Sequence, residues 1–156
     1  MPPGIFLIDA IGPFFRGYER RRINWSKMPY TRLATEGESR TEMWSGIRED
    51  LRRFTREAAA AGFNAVTLDD LAHLAPHPLH EAEVADRIAV YREEFAVLFE
   101  IVREAGLAIY LTSDVLPVTA AVEAAIGGDR GKLENFYREL VDGLLRDFPQ
   151  ISGLVL

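Results

Sequence analysis

Short apolar runs alternate with longer segments of helical periodicity along the whole chain, and the junctions between them repeat. Two helical segments end in Ala60-Ala61-Gly62-Phe63 and Glu104-Ala105-Gly106-Leu107, and each leads straight into an apolar run. Glycine at a helix end followed at once by a strand marks a short αβ turn. Strands and helices in alternation give parallel strands joined by helical crossovers.

The runs are Ile5-Phe6-Leu7-Ile8 within residues 4–10, Phe63 to Leu68, Leu107 to Thr112, and Ile151 to Leu156. The first of these is unbroken, which suits a strand buried on both faces of a parallel sheet. Between the strands lie three helical patterns. The first uses Ile47, Leu51, Phe54 and Ala58, with Ser45 as its cap. The second uses Val84, Ile88, Tyr91, Phe95, Leu98 and Val102, and the last uses Leu133, Phe136, Leu140, Leu144 and Leu145 before Pro149. A short helix is expected at Thr119 to Ala125.

This is an α/β chain in the order (βα)3β. It matches half of a TIM (β/α)8 barrel, a fold that takes about 250 residues, and it ends in the fourth strand. Residues 1–156 are expected to form one partial barrel domain. The αβ turns are short and the βα connections long, the longest running from Ile11 to about Ser45. Elaboration is thus confined to the C-terminal ends of the strands, where barrels and open α/β sheets bind their ligands.

Asp9, Asp69, Asp70 and Asp114 all fall at strand ends. Parallel strands bring them to one rim, where carboxylates can accept from sugar hydroxyls, hold a metal or exchange protons. Aspartate at such a position can also simply cap a loop or a helix. His73, His77 and His80 share one loop after the second strand. They suit hydrogen bonding to a polar ligand, or zinc together with Asp69 or Asp70. Pro76 and Pro78 argue against a helix presenting two of them on one side. The first loop holds Tyr18, Trp25, Tyr30 and Trp44, which can stack on sugar rings or pack the loop onto the body. Arg20, Arg21 and Arg22 form a local basic run that can meet an anion or remain solvated.

The net charge of −6 gives no general attraction to nucleic acid or to anionic membranes. Without cysteine there is no disulfide framework, thiolate zinc site or cysteine nucleophile. No apolar run reaches the roughly 20 residues of a membrane span, and the N-terminus lacks the basic and apolar regions of a signal peptide. A cytoplasmic protein is expected. Gly127-Gly128-Asp129-Arg130-Gly131-Lys132 imitates a phosphate loop, but it is one residue short, Leu133 replaces the hydroxyl residue, and no strand immediately precedes it. There is no Gly-x-Gly-x-x-Gly for a dinucleotide and no His-x-His in the first strand. Neither a cofactor nor a bound metal is expected.

Gly62-Phe63-Asn64-Ala65-Val66-Thr67-Leu68-Asp69-Asp70-Leu71 resembles the second strand of many (β/α)8-barrel glycoside hydrolases. The aromatic first loop and Leu111-Thr112-Ser113-Asp114 add to the likeness, and Ile-Ser-Gly-Leu-Val-Leu at 151–156 is similar to the fourth strand of α-glucuronidase-like and related barrels. The resemblance implies a carbohydrate-active barrel holding a sugar at its C-terminal rim. The expected contacts are Asp9, Tyr18, Trp25, Asp69, Asp70, His73, His77 and Asp114. In many retaining members the catalytic carboxylates follow strands four and seven, positions this sequence does not contain, so the catalytic pair stays unassigned. Two alternatives remain: a non-catalytic half-barrel that binds a ligand and self-associates, and a metal-dependent barrel hydrolase or isomerase. The first and last strands would expose unpaired edges, so self-association or a missing C-terminal half-barrel is expected.

Overall fold

The computed structural model describes residues 4–15, 33–113 and 118–156. The elements are β1 Leu7–Asp9, a 3-10 turn Gly12–Phe15, α1 Gly37–Ala60, β2 Ala65–Asp70, a 3-10 turn Leu71–His73, α2 Ala82–Glu104, β3 Ala108–Thr112, α3 Ala120–Ile126, α4 Arg130–Asp147 and β4 Ile151–Val155. The strands form one four-stranded parallel sheet in the order β1-β2-β3-β4. The fold is therefore α/β.

The glycine junctions work as their sequence implies. Gly62 and Gly106 take positive φ angles of 93° and 75°. Gly62 N–H donates to Ala59 O and Phe63 N–H to Ala58 O; Gly106 N–H donates to Arg103 O and Leu107 N–H to Val102 O. Both are the paired bonds of a Schellman cap, which needs the left-handed residue that glycine supplies without a Cβ penalty. Each cap turns its helix directly into the next strand.

Every crossover steps in the same direction along the sheet. Right-handed crossovers of that kind place their helices on a single face. Register and burial agree. Ile8, Val66, Ile109 and Ile151 are aligned across the sheet, as are Leu68, Leu111 and Leu154 from β2 to β4. All seven belong to or pack against the core shared with the helices. The second face carries Leu7 and Ala108, then the aligned row Asp9, Thr67, Tyr110 and Gly153. In β3 the alternation is plain, with Ile109 and Leu111 buried and Ala108, Tyr110 and Thr112 only partly so.

A run of aromatic contacts holds the helical layer. Trp44 meets Tyr91 and Phe95 with ring centroids 6.3 and 6.0 Å apart. Phe14 stacks on Phe95 at 5.6 Å, Phe95 meets Phe99 at 6.0 Å, and Phe99 meets Phe148 at 5.3 Å. The first turn after β1, α1, α2 and the end of α4 are thereby joined. Arg92 adds a polar tie: its guanidinium lies 4.7 Å over Phe148 and donates to Leu74 O and Asp147 Oδ2 at 2.7 and 2.6 Å.

The structure corrects one boundary. α1 begins at Gly37, not at Ser45, and Ser45 is an exposed residue inside it. Trp44 falls on the same buried stripe as Ile47, Leu51, Thr55 and Ala58, so the helical period extends well upstream of Ser45. The loop after β1 is shorter by that amount.

Candidate functional site

Asp9 ends β1, and its carboxylate is held from two sides. Oδ1 accepts from the Thr67 hydroxyl at 3.0 Å and from Ile11 N–H at 3.1 Å. The second bond is an aspartate turn, local and typical of a strand end. The first crosses to β2 and exists because Asp9 and Thr67 are in register on the second face. Asp9 is exposed, and Oδ2 has no hydrogen-bond partner among the described residues. Among the described residues, one oxygen is thus fixed while the other stands as an oriented acceptor.

Asp69 and Asp70 form the last part of β2, with Asp70 opposite Thr112 and a register irregularity between Leu68 and Asp70. Their backbone therefore reaches the same C-terminal edge; their side chains lie outside what is described. Tyr18, Trp25, Tyr30, Arg20 to Arg22 and Asp114 also lie outside the described residues. At the end of β3, Ser113 turns to the helix side, where its hydroxyl pairs with Tyr137 OH at 2.8 Å.

Two of the three histidines come together: the His77 and His80 rings lie 6.1 Å apart. His73, in the turn that directly follows β2, is 3% exposed and packs its ring 5.6 Å from Tyr91. His77 Nδ1 accepts from Leu79 N–H at 3.1 Å, so its proton sits on Nε2 and is given to Glu139 Oε2 at 3.0 Å. Phe136 meets the His77 ring edge-on at 4.5 Å. His80 Nδ1 accepts from His77 N–H at 3.2 Å. Among the described residues no group of three or more His, Asp or Glu is placed to hold a metal ion.

Trp44, which the sequence allowed as a sugar-stacking residue, is fully buried, and its Nε1–H donates to Ala34 O at 2.9 Å. It packs α1 onto α2 and ties the chain at Ala34 to them. The phosphate-loop imitation also receives a structural explanation. Gly127 closes α3, and Asp129 caps α4 by accepting from Lys132 N–H at 3.1 Å. The aspartate occupies the helix N-terminus that a phosphate would need.

Sequence reasoning missed a cleft of about 330 Å³ beside the histidine loop, lined by His77, Leu79, Ile126, Phe136 and Glu139 among others. It depends on contacts between residues about 60 positions apart, such as His77 and Glu139, for which the sequence carries no signal.

His80 is buried, and desolvation followed by the neighbouring His77 lowers its pKa from the usual 6.5. The folded state then favours the neutral ring, and the unfolded chain binds the extra proton below about pH 6.5. The stability His80 contributes is complete above that pH and declines as pH falls from 6.5 toward the folded-state value. Urea midpoints from pH 8 to pH 5 are expected to fall more for the wild type than for His80→Gln. Parallel pH dependences in the two proteins would rule this out.

Comparison with protein-family models, curated proteins and solved structures yields no match to this chain. Among the described residues no helix is long and apolar enough to cross a membrane.

Proposed function

We propose that this chain is a glycoside hydrolase-like, carbohydrate-active half-barrel that binds a sugar at the C-terminal ends of its strands. The observation that carries this is Asp9: a carboxylate pinned through Oδ1, with Oδ2 unpartnered among the described residues, at the C-terminal edge of a parallel sheet, where such sheets bind ligands. The sequential order β1-β2-β3-β4 supports a barrel segment, since a doubly wound sheet reverses its order at the point where it binds ligand. Asp69 and Asp70 at the end of the neighbouring strand add carboxylates suited to sugar hydroxyls. Glycoside cleavage needs two carboxyl groups about 5–5.5 Å or 6.5–9.5 Å apart, and no such pair is assigned here. The role given to this chain is holding the sugar.

The edges belong to the same proposal. Among the described residues β1 and β4 each have one neighbour, and Ile5, Phe6, Val155 and Leu156 are exposed. Pairing with a second copy or with further barrel strands would cover both edges.

Calorimetric titration with neutral mono- and oligosaccharides tests the proposal, using Asp9→Asn as the control. Asparagine keeps an Oδ1 for Thr67 and Ile11 and replaces only the free oxygen. Loss of a hydrogen bond to a charged group is worth about 1.5–3 kcal/mol, so binding is expected to weaken roughly ten- to hundredfold with stability unchanged. Equal affinity in the two proteins would reduce Asp9 to a turn cap.

A further inference from the structure

The second face of the sheet holds one aromatic side chain in the row that begins at Asp9. In that row Asp9, Thr67, Tyr110 and Gly153 stand side by side on four adjacent strands. Tyr110 is partly exposed, and its hydroxyl has no hydrogen-bond partner among the described residues. Its ring leans across β4. A Cβ added to Gly153 would stand 2.9 Å from Tyr110 Cε1 and 3.2 Å from Cδ1, closer than real side chains approach. Gly153 has no positive φ, so its backbone would accept any residue. Glycine is required there by the space the ring occupies. A register irregularity in the β3–β4 pairing, between Ile109 and Tyr110, sets Gly153 opposite Tyr110 and leaves Ser152 out of the ladder.

We infer that Tyr110 is an aromatic platform for a pyranose ring, held in place by Gly153, on the same face as the free oxygen of Asp9. This rests on the carbohydrate-binding function proposed above and names the class of sugar. Two strand spacings separate the backbones of Asp9 and Tyr110, about 10 Å, with the buried Thr67 between them, and the ring leans away from Asp9 over β4. The carboxylate and the aromatic face therefore meet different units of a sugar chain. An aromatic face provides apolar area, which suits a pyranose that turns its hydroxyls outward and presents a face of C–H groups. The carboxylate accepts from the hydroxyls of another unit.

The test uses the full chain and short oligosaccharides of glucose, galactose and xylose, with affinities from calorimetry and contacts from saturation-transfer NMR. Tyr110→Phe keeps the aromatic face and is expected to bind within about twofold of the wild type. Tyr110→Ala is expected to lose about five- to tenfold, the scale of one aromatic contact. Gly153→Ala, which displaces the ring without touching its chemistry, is expected to lose a similar factor while the urea midpoint stays near that of Tyr110→Ala. If the wild type binds a glycoside and both alanine variants bind it equally well, the platform is overturned and the rim proposal stands. If Tyr110→Phe loses as much as Tyr110→Ala, the hydroxyl and not the face is responsible, which also overturns it. A wild type that binds no glycoside overturns the function on which the platform rests.

Discussion

Trp44→Ala is expected to cost about 3–5 kcal/mol, the range for removing a large buried aromatic. Trp44 is wholly buried, touches Tyr91 and Phe95, and gives its indole N–H to Ala34 O. Truncation removes the contact that seats α1 on α2, leaves a cavity between them and strands a carbonyl. A domain with a net stability of about 5–15 kcal/mol would lose much of it. The urea midpoint is expected to drop sharply with little change in slope, and sugar affinity to remain in whatever fraction stays folded. A sugar-stacking tryptophan would do the reverse, losing affinity at unchanged stability, and that result would contradict the packing role.

The second large effect is expected at Glu94. Its carboxylate is 7% exposed and receives Arg40 Nε at 2.9 Å and Arg48 Nη2, while Arg40 also reaches Glu93 at 2.8 Å. The carboxylates beside it raise the Arg40 pKa, so its charge is secure. Removing one partner of a buried ion pair leaves the others uncompensated and costs about 3–5 kcal/mol in enclosed cases. Both arginines are about 30% exposed, and water will recover part of that loss, so Glu94→Ala is expected to lose about 2–3 kcal/mol. The exposed Arg103–Glu100 pair one turn from the end of α2 gives the contrast, since surface pairs are worth about 0–1 kcal/mol. Comparable losses at Glu94 and Glu100 in chemical denaturation would remove the clamp between α1 and α2 from the explanation of stability.

Much of the fold was legible because its signals are local. Gly62 and Gly106 follow their helices at the one position where a left-handed residue closes the cap, and each is followed by a largely apolar strand. The start of α1 was not legible. Its first turns, from Gly37 to Thr41, are polar, and Ser45 offered a plausible cap. Only packing on Tyr91 and Phe95 reveals that Trp44 belongs to the helical stripe. The candidate site was legible in part. Asp9 was visible as a carboxylate at a strand end, because strand ends are local. Its bond to Thr67 depends on register, and so does the meeting of Tyr110 with Gly153, which further depends on an irregular step in the β3–β4 pairing. The histidine loop misled for a related reason. Of three histidines close in sequence one stands apart, because His73 lies in a 3-10 turn against Tyr91 while His77 and His80 stay together, both meeting Phe136 on α4.

The most direct test of sugar binding at the strand ends is a heteronuclear NMR titration of the full chain with neutral glycosides and short oligosaccharides. The expected result is saturable shifts in the amides at the strand ends, among them Ala10, Ile11, Leu71 and Ser113, greatly reduced in Asp9→Asn. Absence of any shift at about 10 mM sugar, where even an interaction of roughly 3 kcal/mol would register, would contradict the proposal, and so would shifts confined to the cleft around His77 and Phe136.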